Sequence, residues 1–150
     1  MIRVITSVTA CGLMVSGSGG SSVRPEVDYR PGECNIGPAE IGRRRLVGHV
    51  GLAASLAVIG GMLATGAPRW TRLVVVLPAS LAASGYLQAR LRFCAGFGSR
   101  GVFNFGPLGE THQVHDLDAL ARDRARSRQI GLASLAIGAL VASAAALLPR

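Results

Sequence analysis

The chain has 150 residues, 49% of them hydrophobic and only 16% charged. A soluble domain ordinarily carries ~25% charged residues, so this composition argues against an ordinary water-soluble fold and fits one compact membrane unit with a tail. All sixteen basic residues are arginine, against eight acids, for a net charge of +8, which leaves nucleic acid and an anionic membrane surface as candidate counterparts.

Residues 1–15, MIRVITSVTACGLMV, carry one arginine and a short apolar stretch, and the run SGSGGSS follows from Ser16. These are ingredients of a signal peptide, and Val8-Thr9-Ala10-Cys11 is similar to a lipoprotein processing box. The stretch before Cys11 is short for export. The expectation is a disordered extension over residues 1–33, or a start placed upstream of the true one, with residues 16–33 flexible through their Ser, Gly and Pro content.

Pro31-Gly32 marks a turn. Asn35 can cap a helix whose first turn holds Pro38 and Glu40. Glu40 and Arg44 stand i, i+4, the favourable order for an ion pair on one helix face. That helix is expected to run unbroken into the first apolar run, Leu46 to Gly66, carrying Arg43, Arg44 and Arg45 at headgroup level. The second run, about residues 73–92, reaches spanning length only if Arg90 snorkels, and Pro78 predicts a kink in it. The third, residues 130–148, has no charge. Crossing the hydrocarbon core takes ~20 apolar residues, and the first and third runs lack the polar face of a soluble helix. The fold class is therefore all-α: an integral membrane helical bundle of three transmembrane helices over residues 34–150, with a loop at 93–129. The third helix is expected to begin at Asp116, as its cap, and to end at Pro149.

Asn35-x-Gly37-x-x-Glu40, followed by Arg44 and Gly48, resembles the opening signature of a family of small bacterial membrane proteins, the YgaP-like membrane domain also found appended to some rhodaneses. The similarity covers residues 34–98. Ile41 stands where the family pattern has an arginine, and Phe93-Cys94-Ala95 lacks the proline of its Cys-Pro. The resemblance implies a helical hairpin and sulfur or thiol chemistry, without rhodanese activity.

Three crossings put thirteen arginines on the side of the N-terminal segment and second loop, and Arg69, Arg72 and Arg150 on the other. Basic residues near membrane helices favour the cytoplasm, so the expected location is the cell membrane of a bacterium, N-terminus inside and C-terminus outside. Trp70, in the short outer loop, suits an interfacial anchor. Arg43, Arg44, Arg45, Arg122, Arg124, Arg126 and Arg128 all abut apolar runs. There each meets anionic lipid headgroups at ~1 kcal/mol, a placement that argues against nucleic acid.

The chemistry candidates lie on the same expected side. Cys34 and Cys94 are thiol candidates. With His112 and His115 they make a Cys2His2 set of the type that holds zinc, although the spacing is unusual. Gly96-x-Gly98-x-x-Gly101 has dinucleotide-fingerprint spacing, but a membrane helix precedes it instead of a strand. His49 is read as a headgroup-level polar residue. Small residues at fourfold spacing, Ala53, Ala57 and Gly61 on the first helix and Ser134, Gly138 and Ala142 on the third, predict close helix contact, within the chain or in a homo-oligomer or larger complex. Two functions follow: an accessory or scaffold subunit of a membrane assembly, without catalytic machinery or resident cofactor, or a cytoplasmic-face thiol or metal site.

Overall fold

The computed structural model describes residues 29–149. The expectations for residues 1–28 and for Arg150 lie outside the described residues. Three helices are long and apolar enough to cross a membrane, at Pro38–Ala64, Arg69–Leu91 and Leu117–Leu147, so the chain is an all-α multi-pass membrane protein. Helix α1 is Pro38–Ala64. A 3-10 segment, Arg69–Val75, leads into α2, Val76–Leu91. A short helix α3, Ala95–Arg100, and a two-stranded antiparallel hairpin, β1 (Val102–Phe103) and β2 (His112–Gln113), precede α4, Leu117–Leu147.

Local chemistry accounts for most boundaries. Pro38 opens α1, where its missing N–H is unneeded. Asp116 caps α4 by accepting the Asp118 N–H at 3.0 Å, as the sequence predicts. Pro78 sits in the first turn of α2, and the strain expected as a kink appears as the change from 3-10 to α geometry just before it. Asn35 is a correction. The residue capping α1 is Gly37, with no side-chain bond, and Asn35 is used elsewhere.

The spans form a row. Helix α2 packs against both α1 and α4, and α1 and α4 have at most marginal contact with each other. Small residues set the spacing. A Cβ at Gly51 would stand 2.5 Å from the Ala82 nitrogen, and one at Gly85 would strike the Gly48 backbone. One at Gly138 would collide with Ser80. Ser134, Gly138 and Ala142 lie on the buried seam of α4. The α1 seam is Gly48, Gly51 and Ser55. Ala53, Ala57 and Gly61 are exposed, which corrects their use in packing within the chain. Since α1 is apolar all round, its composition does not mark the inward face. Near the 3-10 segment, Val75, Ala79 and Ala142 form a core with Val58, Ile59 and Val76 around it.

Residues 29–37 and 93–116 fold together over one end of the spans, as a cap. Residues 29–33 belong to it, a correction to the extension expected over 1–33: Arg30 and Cys34 form a backbone bridge, and the Gly32 N–H is bonded to α4.

Candidate functional site: a polar cap on the membrane helices

Asn35 is the centre of the cap. Its Oδ1 accepts the Cys94 N–H at 2.7 Å and its Nδ2 donates to the Cys94 carbonyl at 3.1 Å. The backbone N–H groups of Asn35 and Ile36 both donate to the Arg92 carbonyl, at 3.2 and 3.3 Å. Arg92 presents that carbonyl from a left-handed conformation, φ 51°, which costs a non-glycine residue ~1–2 kcal/mol and is offset by the two bonds. Gln88, in the last turn of α2, accepts the Ala95 N–H and donates to Ser84 Oγ. Asn104 exchanges backbone bonds with its neighbours: its N–H donates to Asn35 O and its carbonyl accepts from Gly37. Its side chain closes the following turn by accepting from Gly106 and donating to Pro107 O. A Cβ at Gly37 would stand 2.7 Å from the Phe105 carbonyl, so glycine is required there.

A second cluster ties this loop to α4. Asp123 is fully buried and accepts from Tyr29 Oη at 2.8 Å and from the Gly32 N–H at 2.6 Å. Burial first, and then the hydrogen bond to Asp123 and its negative charge, push the Tyr29 phenol above its ordinary pKa. The Tyr29 ring stacks on Phe103 at 4.8 Å, and Phe103 in turn stacks on His112 at 5.4 Å. The glycines with dinucleotide spacing are packing residues. Gly98 is pressed against Phe93 and Ser127, and Gly101 against Leu120.

Glu40 is 1% exposed and pairs with Arg44 at 3.4 Å and Arg43 at 3.8 Å. The Arg44 guanidinium lies 5.8 Å from the centre of the Phe97 ring. Among the predicted headgroup residues, Arg43, Arg45, Arg122, Arg124 and Arg128 are exposed and Arg44 and Arg126 half-buried. Gly48 lies against the Tyr86 ring. His49, just beside it, shares a 2.7 Å hydrogen bond between Nδ1 and Tyr86 Oη.

The Cys2His2 set does not assemble. Cys34 and Cys94 are buried, whereas His112 and His115 are exposed. No group of three or more His, Cys, Asp or Glu side chains that could hold a metal ion is present among the described residues. Cys94 is a free thiol, and Cys34 is disulfide-bonded rather than free.

At the opposite end, Arg72 departs most from its sequence reading. Assigned there to an outer loop, it is 0% exposed. Its Nη1 donates to the carbonyls of Ala145 and Leu148, at 3.3 and 2.8 Å. Both lie at the end of α4, where the Ala145 carbonyl also accepts the Leu148 N–H at 3.4 Å and a cation meets the negative end of the helix dipole. Trp70 is 74% exposed nearby.

Sequence reasoning missed Tyr29, Arg72, Gln88, Asn104 and Asp123. Two had a readable signal. Extending the stripe Gly138, Ser134 backward in register meets Ile130, Ser127 and Asp123, and Asn104-Phe-Gly-Pro is an Asx-turn sequence. Comparison with protein-family models, curated proteins and solved structures finds no match to this chain.

Proposed function

We propose that this chain is a non-catalytic subunit of a membrane assembly, in which the cap fixes the polar ends of three spans as one docking unit. The observation that carries this reading is the use made of the cap's buried polar side chains. Asn35 and Asp123 tie segments far apart in sequence, Gln88 joins the end of α2 to the start of α3, and the Asn104 side chain closes its own turn. Such a set rigidifies a surface. Helices α1 and α4, each packed mainly on α2, keep broad apolar faces for lipid or for other subunits, including Leu46, Leu56, Leu132 and Leu140.

Under this reading the cap end faces the cytoplasm, in a bacterial inner membrane, and its exposed arginines contact anionic lipid. Arg72, held by the end of α4, is not available as a free outer charge, which sharpens the arginine asymmetry. The Cys34 disulfide points the other way, since disulfides persist in oxidising compartments. An alkaline-phosphatase reporter fused after residue 149 decides: activity supports a cytoplasmic cap, and inactivity with an active green-fluorescent fusion overturns it. The likeness of residues 34–98 to the YgaP-like hairpin fits within this proposal, with α1 and α2 as the hairpin and α4 as an addition. The alternative thiol or metal function has less support, because Cys94 is buried and the two histidines are remote from a ligand cluster.

Native mass spectrometry of the affinity-purified chain tests the subunit role. A second chain at one fixed ratio in two detergents and in nanodiscs is the expected result. A bare monomer in all three overturns it.

A further inference from the structure

An open cleft of about 280 Å³ lies where the Pro31–Gly32 turn meets α4, lined by Pro31, Gly32, Arg122, Ala125, Arg126 and Gln129. Its level in the membrane follows from the sequence of α4. Gln129 is the last polar residue before the apolar stretch that begins at Ile130, so the cleft opens at the boundary between water and hydrocarbon. Three observations bear on what it holds.

The first is charge. Arg122 and Arg126 stand i, i+4 on one face, an arrangement that destabilises a helix through like-charge repulsion. A bound anion removes that penalty. The second is an unused donor. Arg126 Nη1 donates to Gln129 Oε1 at 3.3 Å, while its Nε is buried with no hydrogen-bond partner. A buried N–H on a charged group without an acceptor is costly. The third is the floor. Gly32 has φ +76°, a left-handed conformation that favours glycine, and it brings the turn backbone close to Arg122, where a Cβ would be in van der Waals contact at 3.4 Å. On α4, Asp118 stands four residues before Arg122 and is exposed, and Asp123 is buried with its two oxygens accepting from Tyr29 and Gly32; neither forms an ion pair with Arg122 or Arg126. Glu33, on the facing loop, is exposed.

We infer that this cleft binds a phosphate group, held between the Arg122 and Arg126 guanidinium groups. Guanidinium forks match phosphate oxygens geometrically, which an ammonium does not. Two sources carry this chemistry at this depth: the headgroup of an anionic phospholipid and a soluble phosphate monoester. The inference rests on the membrane placement of the spans and not on the subunit role, so a chain that purifies without a partner leaves it intact.

The test measures retention of phosphatidylglycerol by native mass spectrometry of the full chain during stepwise delipidation, with glycerol phosphate as the soluble probe. Wild-type protein is expected to keep one phosphatidylglycerol after the bulk lipid has gone. Arg126→Gln should weaken that binding by about tenfold or more, the range for a charge-assisted hydrogen bond. Arg126→Lys, which keeps the charge but loses the fork, should weaken it measurably. Arg128→Gln, which removes an exposed headgroup contact outside the cleft, should weaken it by no more than about fivefold. Binding of glycerol phosphate with the same variant order, and no retained lipid, supports the site and assigns it to a soluble ligand. Equal losses in Arg126→Gln and Arg128→Gln, or no change in Arg126→Lys, would mean a diffuse charged belt and overturn the inference. Absence of binding by either probe overturns it too. Thermal unfolding of each variant verifies that a loss of binding is not a loss of fold.

Discussion

The cap and the spans of this molecule are held together by opposite means. In the spans, buried positions are small: Gly48, Gly51 and Ser55 on α1, Ala82 and Gly85 on α2, Gly138 and Ala142 on α4. Lipid is as apolar as leucine, so helices in it gain little from hiding apolar surface and associate through close backbone approach. In the cap, buried positions include Asn35 and Asn104, and the ends of α1 and α4 beneath it bury Glu40 and Asp123. There the chain lacks long regular elements, and side chains satisfy backbone groups that no helix or sheet would satisfy. The lesson concerns solvent: within 121 residues the same chain uses contact distance where water is absent and hydrogen bonds where it is present.

The contrast can be broken from the cap side most severely. Asn35→Ala orphans the buried Cys94 N–H, at a cost of ~1–3 kcal/mol, and removes one donor to the Cys94 carbonyl, which still accepts from Phe97 and Gly98. Amide exchange should rise across residues 29–37 and 93–115 while the interiors of α1, α2 and α4 stay protected. Exchange rising equally in the spans would show that the two regions are one cooperative unit. From the span side, Gly51→Ala forces α1 away from Ala82 at a cost of ~1–3 kcal/mol, the range for overpacking. A lowered melting temperature in detergent, with cap aromatic signals retained, is the expected readout.

A finer separation comes from pH. Because folded Tyr29 holds its proton more tightly than an unfolded tyrosine, its contribution is complete below the ordinary tyrosine pKa of ~10 and fades as pH rises beyond it. Alkaline loosening of the cap should therefore begin above that value in wild type. Tyr29→Phe, which also removes a bond worth ~1 kcal/mol, should abolish that step in the amide-exchange profile. The smallest effect is a positive one. Gly61 on α1 has nothing within 4 Å of an added Cβ, so Gly61→Ala should raise stability by ~0.5–1 kcal/mol through helix propensity. A loss instead would place an unseen partner on that face.

The sequence made the spans legible and the cap nearly opaque, for a physical reason. A long apolar run announces itself, and so do Asp116 and Pro38 as helix starts. The inward face of such a run does not. Ala53, Ala57 and Gly61 have the same spacing character as the true contacts, and only the partner helix tells them apart. Ser134, Gly138 and Ala142 carried the same signal, and there it coincides with the true seam. In the cap, Asn35 met the rule for a helix cap, yet it answers to Cys94, 59 residues away. Local chemistry carries no information about a partner at that separation. Arg72 failed in the same way: topology rules count it as a free charge, while its acceptors lie at the far end of another helix.

The Arg72 contact has a consequence for biosynthesis. Its acceptors, Ala145 and Leu148, follow it by 73 and 76 residues. At translation speeds of ~5–20 residues per second, they are made on the order of 4–15 s after the arginine. The α1–α2 hairpin therefore meets the translocation machinery with a guanidinium whose final ligands do not yet exist. Arrival of α4 is the event that gives this guanidinium its carbonyl acceptors, so that end of the bundle is completed by the last helix to be made.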